Sequence, residues 1–362
     1  MQHEILSFTI LILAFVMFII FYSIFSASTI SNHPNRYVVY AQSLSLSSSF
    51  QMLEHNQTTE QQQQQPPPPP AHQEEIINYK KNVVKLVADI VRNRLHDAVH
   101  ILEITSREPA VQNVSFANNI SKIHMGISEN LDVEKRKVAQ EILSRDKDFG
   151  SIYFALPNGN IYIGEPYSDQ KQLPRLNYAD RDWYKGVTST NNTYISSVFI
   201  SASIHVPAIA IAVPVYSNNV GINNNNTGIT NNSLHNLAGY WVGILDFASV
   251  QENINDLYLD LGERLIVVDH NGTSIVDSNS KIKDNSTINS PFSSKTNSQQ
   301  LKSFAHLQSF KDALKGTAVT KTEIVNGVKI LSIHMPIEIG GRNWAVIDTL
   351  NLCWLFSNCN SL

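Results

Sequence analysis

SIYFALPNGNIYIG, residues 151–164, places two strand-forming runs on either side of Pro157-Asn158-Gly159-Asn160, turn chemistry that closes a β-hairpin. The theme returns a hundred residues later as RLIVVDHNGTSIVDS, residues 264–278, again two apolar runs around an Asn-Gly turn, at Asn271-Gly272. A repeated hairpin argues for two sheet modules in series. The first is completed by YISSVFISAS (194–203), PAIAIAVPVY (207–216) and GYWVGILDFA (239–248). The second is completed by strands at 316–324, VKILSIHMPI (328–337) and NWAVIDTL (343–350). A helical connector at 250–262 and a short helix at 304–314 fall between strands. Antiparallel strands with helices segregated from them give an α+β fold class.

Upstream of the first hairpin the periodicity changes to that of a helix. Val84, Val87, Val91, Leu95, Ala98 and Leu102 recur at intervals of three and four from Glu74 onward, and nothing breaks the helix before Pro109. About 30 residues make a rod of about 45 Å. Its lysines, arginines and acids form a solvated face. A shorter helix is predicted over Val133–Leu143.

The N-terminus reads ILSFTILILAFVMFIIFYSIFSASTI from Ile5 to Ile30 without one charge. That length suits an uncleaved transmembrane anchor, since a secretory signal has a shorter apolar region behind a basic one. Residues 31–73 form a low-complexity Gln/Pro linker containing QQQQQPPPPP, a semi-rigid spacer. The expected organisation is therefore an anchor at 1–30, the linker at 31–73, a long helix with a membrane-distal module at 74–250, a membrane-proximal module at 251–350, and a tail at 351–362. Arg36 after the span pulls weakly toward a cytoplasmic C-terminal side. Eight Asn-x-Ser/Thr acceptors, at Asn56, Asn113, Asn119, Asn191, Asn225, Asn231, Asn271 and Asn285, favour the exterior. The expected location is the cell membrane, single-pass, with the folded part outside. Cys353 and Cys359 leave a disulfide open and form no complete metal site.

The net charge of -4 over 362 residues and the lack of any basic stripe exclude nucleic acid as a partner. No nucleophile elbow, zinc-protease motif, P-loop or dinucleotide fingerprint occurs, so a binding protein is expected rather than an enzyme, with no cofactor implied.

The densest chemistry lies in NYADRDWYKGV, residues 177–187. Arg181 is a permanently charged planar fork suited to a carboxylate, and Trp183 faces the same side if the segment is extended. Tyr178 and Tyr184 add phenols. The competing reading pairs Arg181 with Asp180 or Asp182 and makes Trp183 simple core. His205 reads as surface, and Asp269 and Asp277 as turn residues, with nothing arguing for a second ligand site.

With RDWYKG (181–186) followed by YISSVFIS (194–201), HVPAIAIAVPV (205–215) and GYWVGILDF (239–247), the chain from about Glu74 to Leu350 resembles the double Cache (dCache) extracellular sensor domains of chemoreceptors and sensor kinases. The resemblance implies a long helix carrying two PAS-like modules, the distal one binding a ligand. In amino-acid-sensing members an Arg-x-Trp pair grips the ligand carboxylate, a later Tyr-x-Asp stands on the opposite wall, and an aspartate ending the following strand takes the ammonium. Arg181 and Trp183 match the first element and Asp246 the last. The middle positions fall on Phe199 and Ser201, so a phenol and a carboxylate are missing, and the upstream tyrosine lands on Leu176 with Tyr178 displaced from it. The implied ligand-binding set is Tyr178, Arg181, Trp183, Tyr184, Phe199, Ser201 and Asp246. The implied ligand is small, polar and carboxylate-bearing, an organic acid or an amino acid.

Three functional readings follow. The chain is an anchored sensor that signals through a separate transmembrane transmitter protein, since nothing after residue 350 spans a bilayer; or a truncated receptor fragment; or a cell-surface scaffold or adhesion protein. Self-association as a homodimer through the long helix is open in each.

Overall fold

The computed structural model describes residues 70–217, 236–257, 259, 262–281 and 301–352. The expected anchor, most of the linker, the Asn-rich stretch at 218–235 and the two cysteines lie outside these residues. Among the described residues no helix is long and apolar enough to cross a membrane.

Helix α1 spans Pro70–Thr105. It starts four residues before the expected position, so 70–73 belong to the helix and not to the linker; Pro70 is tolerated there because the first turn has no use for its missing N–H. The apolar stripe read from the sequence is buried throughout, from Val84 through Val91 and Leu95 to Leu102. At 36 residues α1 is about 54 Å long, enough to serve both modules. Near one end the buried Lys80 ammonium pairs with Glu263 at 2.6 Å, just ahead of the second sheet. Near the other, Thr105 accepts the indole N–H of Trp241 at 3.0 Å, inside the first sheet. Short helices α2 (Pro109–Gln112) and α3 (Val133–Arg145) follow. Arg136 on α3 is buried and donates to Glu165 at 2.6 Å and to the carbonyls of Ile127 and Gly164, tying α3 to the sheet.

The first sheet contains β1 (Phe149–Ala155), β2 (Ile161–Glu165), β3 (Tyr194–Ile195), β4 (Phe199–Ile200), β5 (Pro207–Ser217) and β6 (Asn236–Leu245), in the order β2-β1-β6-β5-β3 with β4 also on β5. Helices α4 (Tyr167–Gln172) and α5 (Asp182–Thr190) lie between β2 and β3 in the chain, and α6 (Ala248–Asn255) follows β6. The second sheet contains β7 (Arg264–Val268), β8 (Ser274–Asp277), β9 (Val319–Val325), β10 (Val328–Ile339) and β11 (Arg342–Asn351), ordered β8-β7-β11-β10-β9, with α7 (Gln308–Ala313) before β9. Every pairing is antiparallel.

Strand alternation decides which residues reach the site. Ile152, Phe154, Ile209, Ile211 and Trp241 face α1 and its core. Tyr153, Ala155, Ala208, Ala210, Val242 and Ile244 face the opposite way, under the α4–α5 segment, together with Tyr178 and Trp183. The small alanines of β5 leave room on that face.

The repeat is exact enough to compare hydrogen bonds. Gly159 (φ 84°) and Gly272 (φ 78°) both take the left-handed conformation that favours glycine, and a Cβ on either would meet a following segment, at Ala179 and Ala305 respectively. The Tyr178 N–H donates to the Gly159 carbonyl at 2.8 Å, and the Phe304 N–H to the Gly272 carbonyl at 2.7 Å. Arg181 then donates its N–H to the Tyr178 carbonyl as Leu307 does to that of Phe304, both at 3.0 Å. Tyr178 and Arg181 of the first module thus correspond to Phe304 and Leu307 of the second.

Candidate functional site

The segment 177–187 is not extended through Trp183, which was the condition for Arg181 and Trp183 to share a side by strand alternation. Arg181 occupies the N-cap position of α5 with extended backbone (φ −74°, ψ 150°), and the chain turns helical at Asp182. The cap geometry aims the two side chains at one pocket all the same. Trp183 is buried beneath the helix, and Arg181 stays half-buried at the rim.

Both neighbouring aspartates are engaged elsewhere. Asp180 pairs with Arg175 at 2.6 Å. Asp182 accepts the Ser197 N–H at 2.7 Å and the Tyr194 hydroxyl at 3.1 Å. Among the described residues nothing bonds to the Arg181 guanidinium, which sits 5.9 Å from the ring centroids of both Tyr178 and Phe199. The competing reading, in which a flanking aspartate neutralises Arg181, is therefore not what the chain does.

The pocket that Arg181 overlooks is lined by Tyr178, Trp183, Phe199 and Ser201 from the expected set, joined by Tyr153, Ile161, Leu173, Ala202, Ser203, Val242 and Ile244. Its free volume is about 40 Å³. Two phenol oxygens, on Tyr153 and Tyr178, are buried without a hydrogen-bond partner. Burial pushes the Tyr153 hydroxyl up to about 12, with Ser203 and Ser151 close by but closing no hydrogen bond. Burial also raises Tyr178, against the pull of Arg175 and Arg181. A buried hydroxyl left unpaired is costly, so these two are poised for a ligand that supplies the missing bond. Near Tyr153 the Ser203 hydroxyl bonds both Ser151 and Ser201 at 3.0 Å.

Tyr184 and Asp246 are placed away from the lining. Tyr184 donates its hydroxyl to the Pro157 carbonyl at 2.6 Å and packs edge-on against Trp183 and Tyr240, bracing the indole from behind. Asp246 accepts the Ala248 N–H at 3.0 Å at the start of α6, and burial raises its carboxyl. His205 is exposed in the loop before β5, with positive φ (58°).

Of the seven lining residues that the sequence reading missed, Tyr153 and Ser203 are the ones that bring polar groups. The hairpin register carried the signal for Tyr153, since it alternates with Ile152 and Phe154. Asp269 was also underread. One carboxylate oxygen caps its own turn through the Asn271 and Thr273 N–H groups, and the other reaches the Val198 N–H at 2.8 Å, beside the pocket wall. Around it Arg342 donates to the Tyr194 hydroxyl at 2.7 Å and lies 3.1 Å from His270 Nε2. This seam ties the distal pocket to the second module.

In the second module the position equivalent to Arg181 is the buried Leu307, packed with Phe304 and Phe310. Where the first module has a cation over a cavity, the second has core. Asp277, expected as a turn residue, is instead held by Arg264 through two bonds at 2.9 and 2.7 Å, and Arg264 and Lys302 keep its carboxyl below the usual range.

The sequence profile of the Cache domain (dCache_1) matches residues 70–352, and the chain belongs to that family. Among solved structures it is similar to the ligand-binding domain of the Pseudomonas aeruginosa PAO1 amino-acid chemoreceptor PctC in complex with GABA, with TM-score 0.50 and 16% identity, covering 76% of this chain and 99% of that one. The PctB domain of the same organism in complex with L-Arg gives 0.49 and 16%, covering 80% and 100%. That of the Pseudomonas fluorescens chemoreceptor CtaA with L-isoleucine gives 0.47 and 16%, covering 78% and 94%. No curated protein matches. At these identities the structural likeness speaks to the fold, which is that of chemoreceptor ligand-binding domains.

Proposed function

We propose that the chain is a sensor domain whose distal module binds a small carboxylate-bearing ligand, an organic acid or an amino acid. Arg181 grips the carboxylate, while Trp183, Tyr178 and Phe199 form an aromatic cradle and Ser201 supplies a hydroxyl. The observation that carries this reading is the unpaired Arg181 guanidinium over a pocket with two unsatisfied phenols. A guanidinium fork that faces free space next to aromatic rings is arranged for a planar anion. Tyr184 holds Trp183 in place, and Asp246 acts on the ligand only if α6 releases it.

The apolar N-terminus, on this reading, anchors the domain in the cell membrane with the folded part outside. Of the eight Asn-x-Ser/Thr acceptors, the four on described residues, Asn113, Asn119, Asn191 and Asn271, are all exposed, which supports an exterior location. Helix α1 offers the surface for a homodimer. Occupancy must favour one of two arrangements of the modules for any signal to pass. The reading is tested by thermal shift of the full chain in detergent against amino acids, short carboxylates and amines. A ligand at 100 times its dissociation constant adds about 2.7 kcal/mol. The expected result is a carboxylate hit that Arg181→Gln abolishes, and hits confined to uncharged solutes or amines would refute it.

A further inference from the structure

Resting on the reading of the distal pocket as a carboxylate site, we propose that its ligand is a short monocarboxylate carrying a neutral hydroxyl or carbonyl oxygen, about the size of a three-carbon 2-hydroxy or 2-keto acid, and that the pocket rejects the α-amino acid of the same shape.

The first argument is charge. The lining contains one cation, Arg181, and neither Asp nor Glu. An α-ammonium brought into this space needs an anionic partner, because a buried charge without one is strongly unfavourable. None of the nearby carboxylates is among the lining residues. Asp180 is exposed and paired with Arg175, and Asp182 is bonded outside the pocket to Ser197 and Tyr194. Asp246 accepts the Ala248 N–H at the start of α6. Asp169, on α4, has the Ser168 hydroxyl as its partner and is not among the lining residues. Phe199 and Ser201 stand on the wall facing Arg181 and offer no negative charge.

The second argument is the kind of polar group that is left. The Tyr153 and Tyr178 hydroxyls are buried and unbonded, and the Ser201–Ser203 hydroxyl pair borders the same space. A hydroxyl can donate or accept, so these groups suit a neutral oxygen that does either. The third is size. The rings of Tyr153, Tyr178, Trp183 and Phe199 crowd the space beside Arg181, which favours a ligand of a few heavy atoms.

L-Lactate and L-alanine form the discriminating pair, since they differ only by hydroxyl against ammonium. Isothermal titration of the full chain in detergent with sodium L-lactate, pyruvate, acetate and L-alanine is expected to show lactate or pyruvate binding at least tenfold more tightly than alanine. Binding should be lost in Arg181→Gln, a half-exposed side chain whose guanidinium holds no hydrogen bond or ion pair among the described residues. Tyr153→Phe is expected to weaken lactate several-fold and leave acetate unchanged. Alanine binding as tightly as lactate, with both lost in Arg181→Gln, would overturn the ligand class while leaving the carboxylate site standing. Equal weakening of lactate and acetate by Tyr153→Phe would overturn the role of the neutral oxygen. If lactate and pyruvate fail while larger amino acids bind through Arg181, the inference alone falls. If no carboxylate binds, the pocket reading falls with it.

Discussion

Asp269→Asn isolates the bond that joins the pocket wall to the second module. In the native side chain Oδ1 accepts the Asn271 and Thr273 N–H groups, and Oδ2 accepts the Val198 N–H at 2.8 Å. Asparagine keeps one oxygen for the turn but places an amino group where Oδ2 was, facing the Val198 N–H donor to donor. The bond lost is one from a buried backbone donor to a charged acceptor, a class worth about 1.5–3 kcal/mol. The Val198 N–H is also left buried and unpaired, so the expected loss is about 2–3 kcal/mol. In a domain of this size each kcal/mol moves the midpoint by about 2–4 °C, and a fall of about 5–10 °C follows. Asp269→Ala, which also strips the turn, should lose about 2 kcal/mol more. Urea denaturation and thermal melts of the full chain with the two variants read this directly. Because Val198 precedes Phe199, carboxylate affinity should fall as well. An Asp269→Asn protein within about 0.5 kcal/mol of the parent, a typical surface-substitution effect, would show that the seam carries no weight.

Other expectations follow from single groups. Burial lowers the Lys135 ammonium to about 8, beside Asp132 and over the rings of Phe154 and Tyr162; between pH 8 and pH 10 the unfolded chain holds a proton there that the folded chain has lost, so stability should rise with pH by about 2 kcal/mol, and equilibrium unfolding of Lys135→Met should lack that rise. Tyr178→Phe removes a buried hydroxyl that has no partner, and melts of the ligand-free variant should be unchanged or higher by up to about 1 kcal/mol while calorimetry shows weaker carboxylate binding. Gly186→Ala puts a Cβ 2.3 Å from the Tyr194 ring; denaturation should show a loss of about 1–3 kcal/mol from overpacking, with the Tyr194–Arg342 contact disturbed.

The parts of the fold that follow local rules were readable in advance. The α1 stripe from Val84 to Leu102 needs only a period of 3.6, and both hairpins needed only their Asn-Gly turns. Helix α5 had no clear signal, because a stretch rich in aromatic and charged residues shows no apolar period and its start is set by Arg181 acting as a cap without a capping oxygen. The candidate site was legible where it depends on residue type, as for the Arg181 fork. It was not legible where it depends on which of several partners a side chain reaches. Nothing local says that Asp180 takes Arg175 and Asp182 takes Ser197, leaving Arg181 unpaired. The bond from the Ala248 N–H to Asp246 had no such signal either, because the N-cap of α6 is Phe247, one residue further on. The reach of Asp269 to Val198, 71 residues away, had none.

The central claim is that Arg181 holds the carboxylate of a ligand in the distal pocket. A crystal structure of the folded region grown with L-lactate or pyruvate tests it most directly. The account predicts the ligand carboxylate in paired hydrogen bonds with the Arg181 guanidinium, its remaining oxygen against Tyr153 or Tyr178, and Asp246 still bonded to the Ala248 N–H. Ligand density at another place, or an Arg181 paired with a protein carboxylate over an empty pocket at saturating ligand, would contradict it.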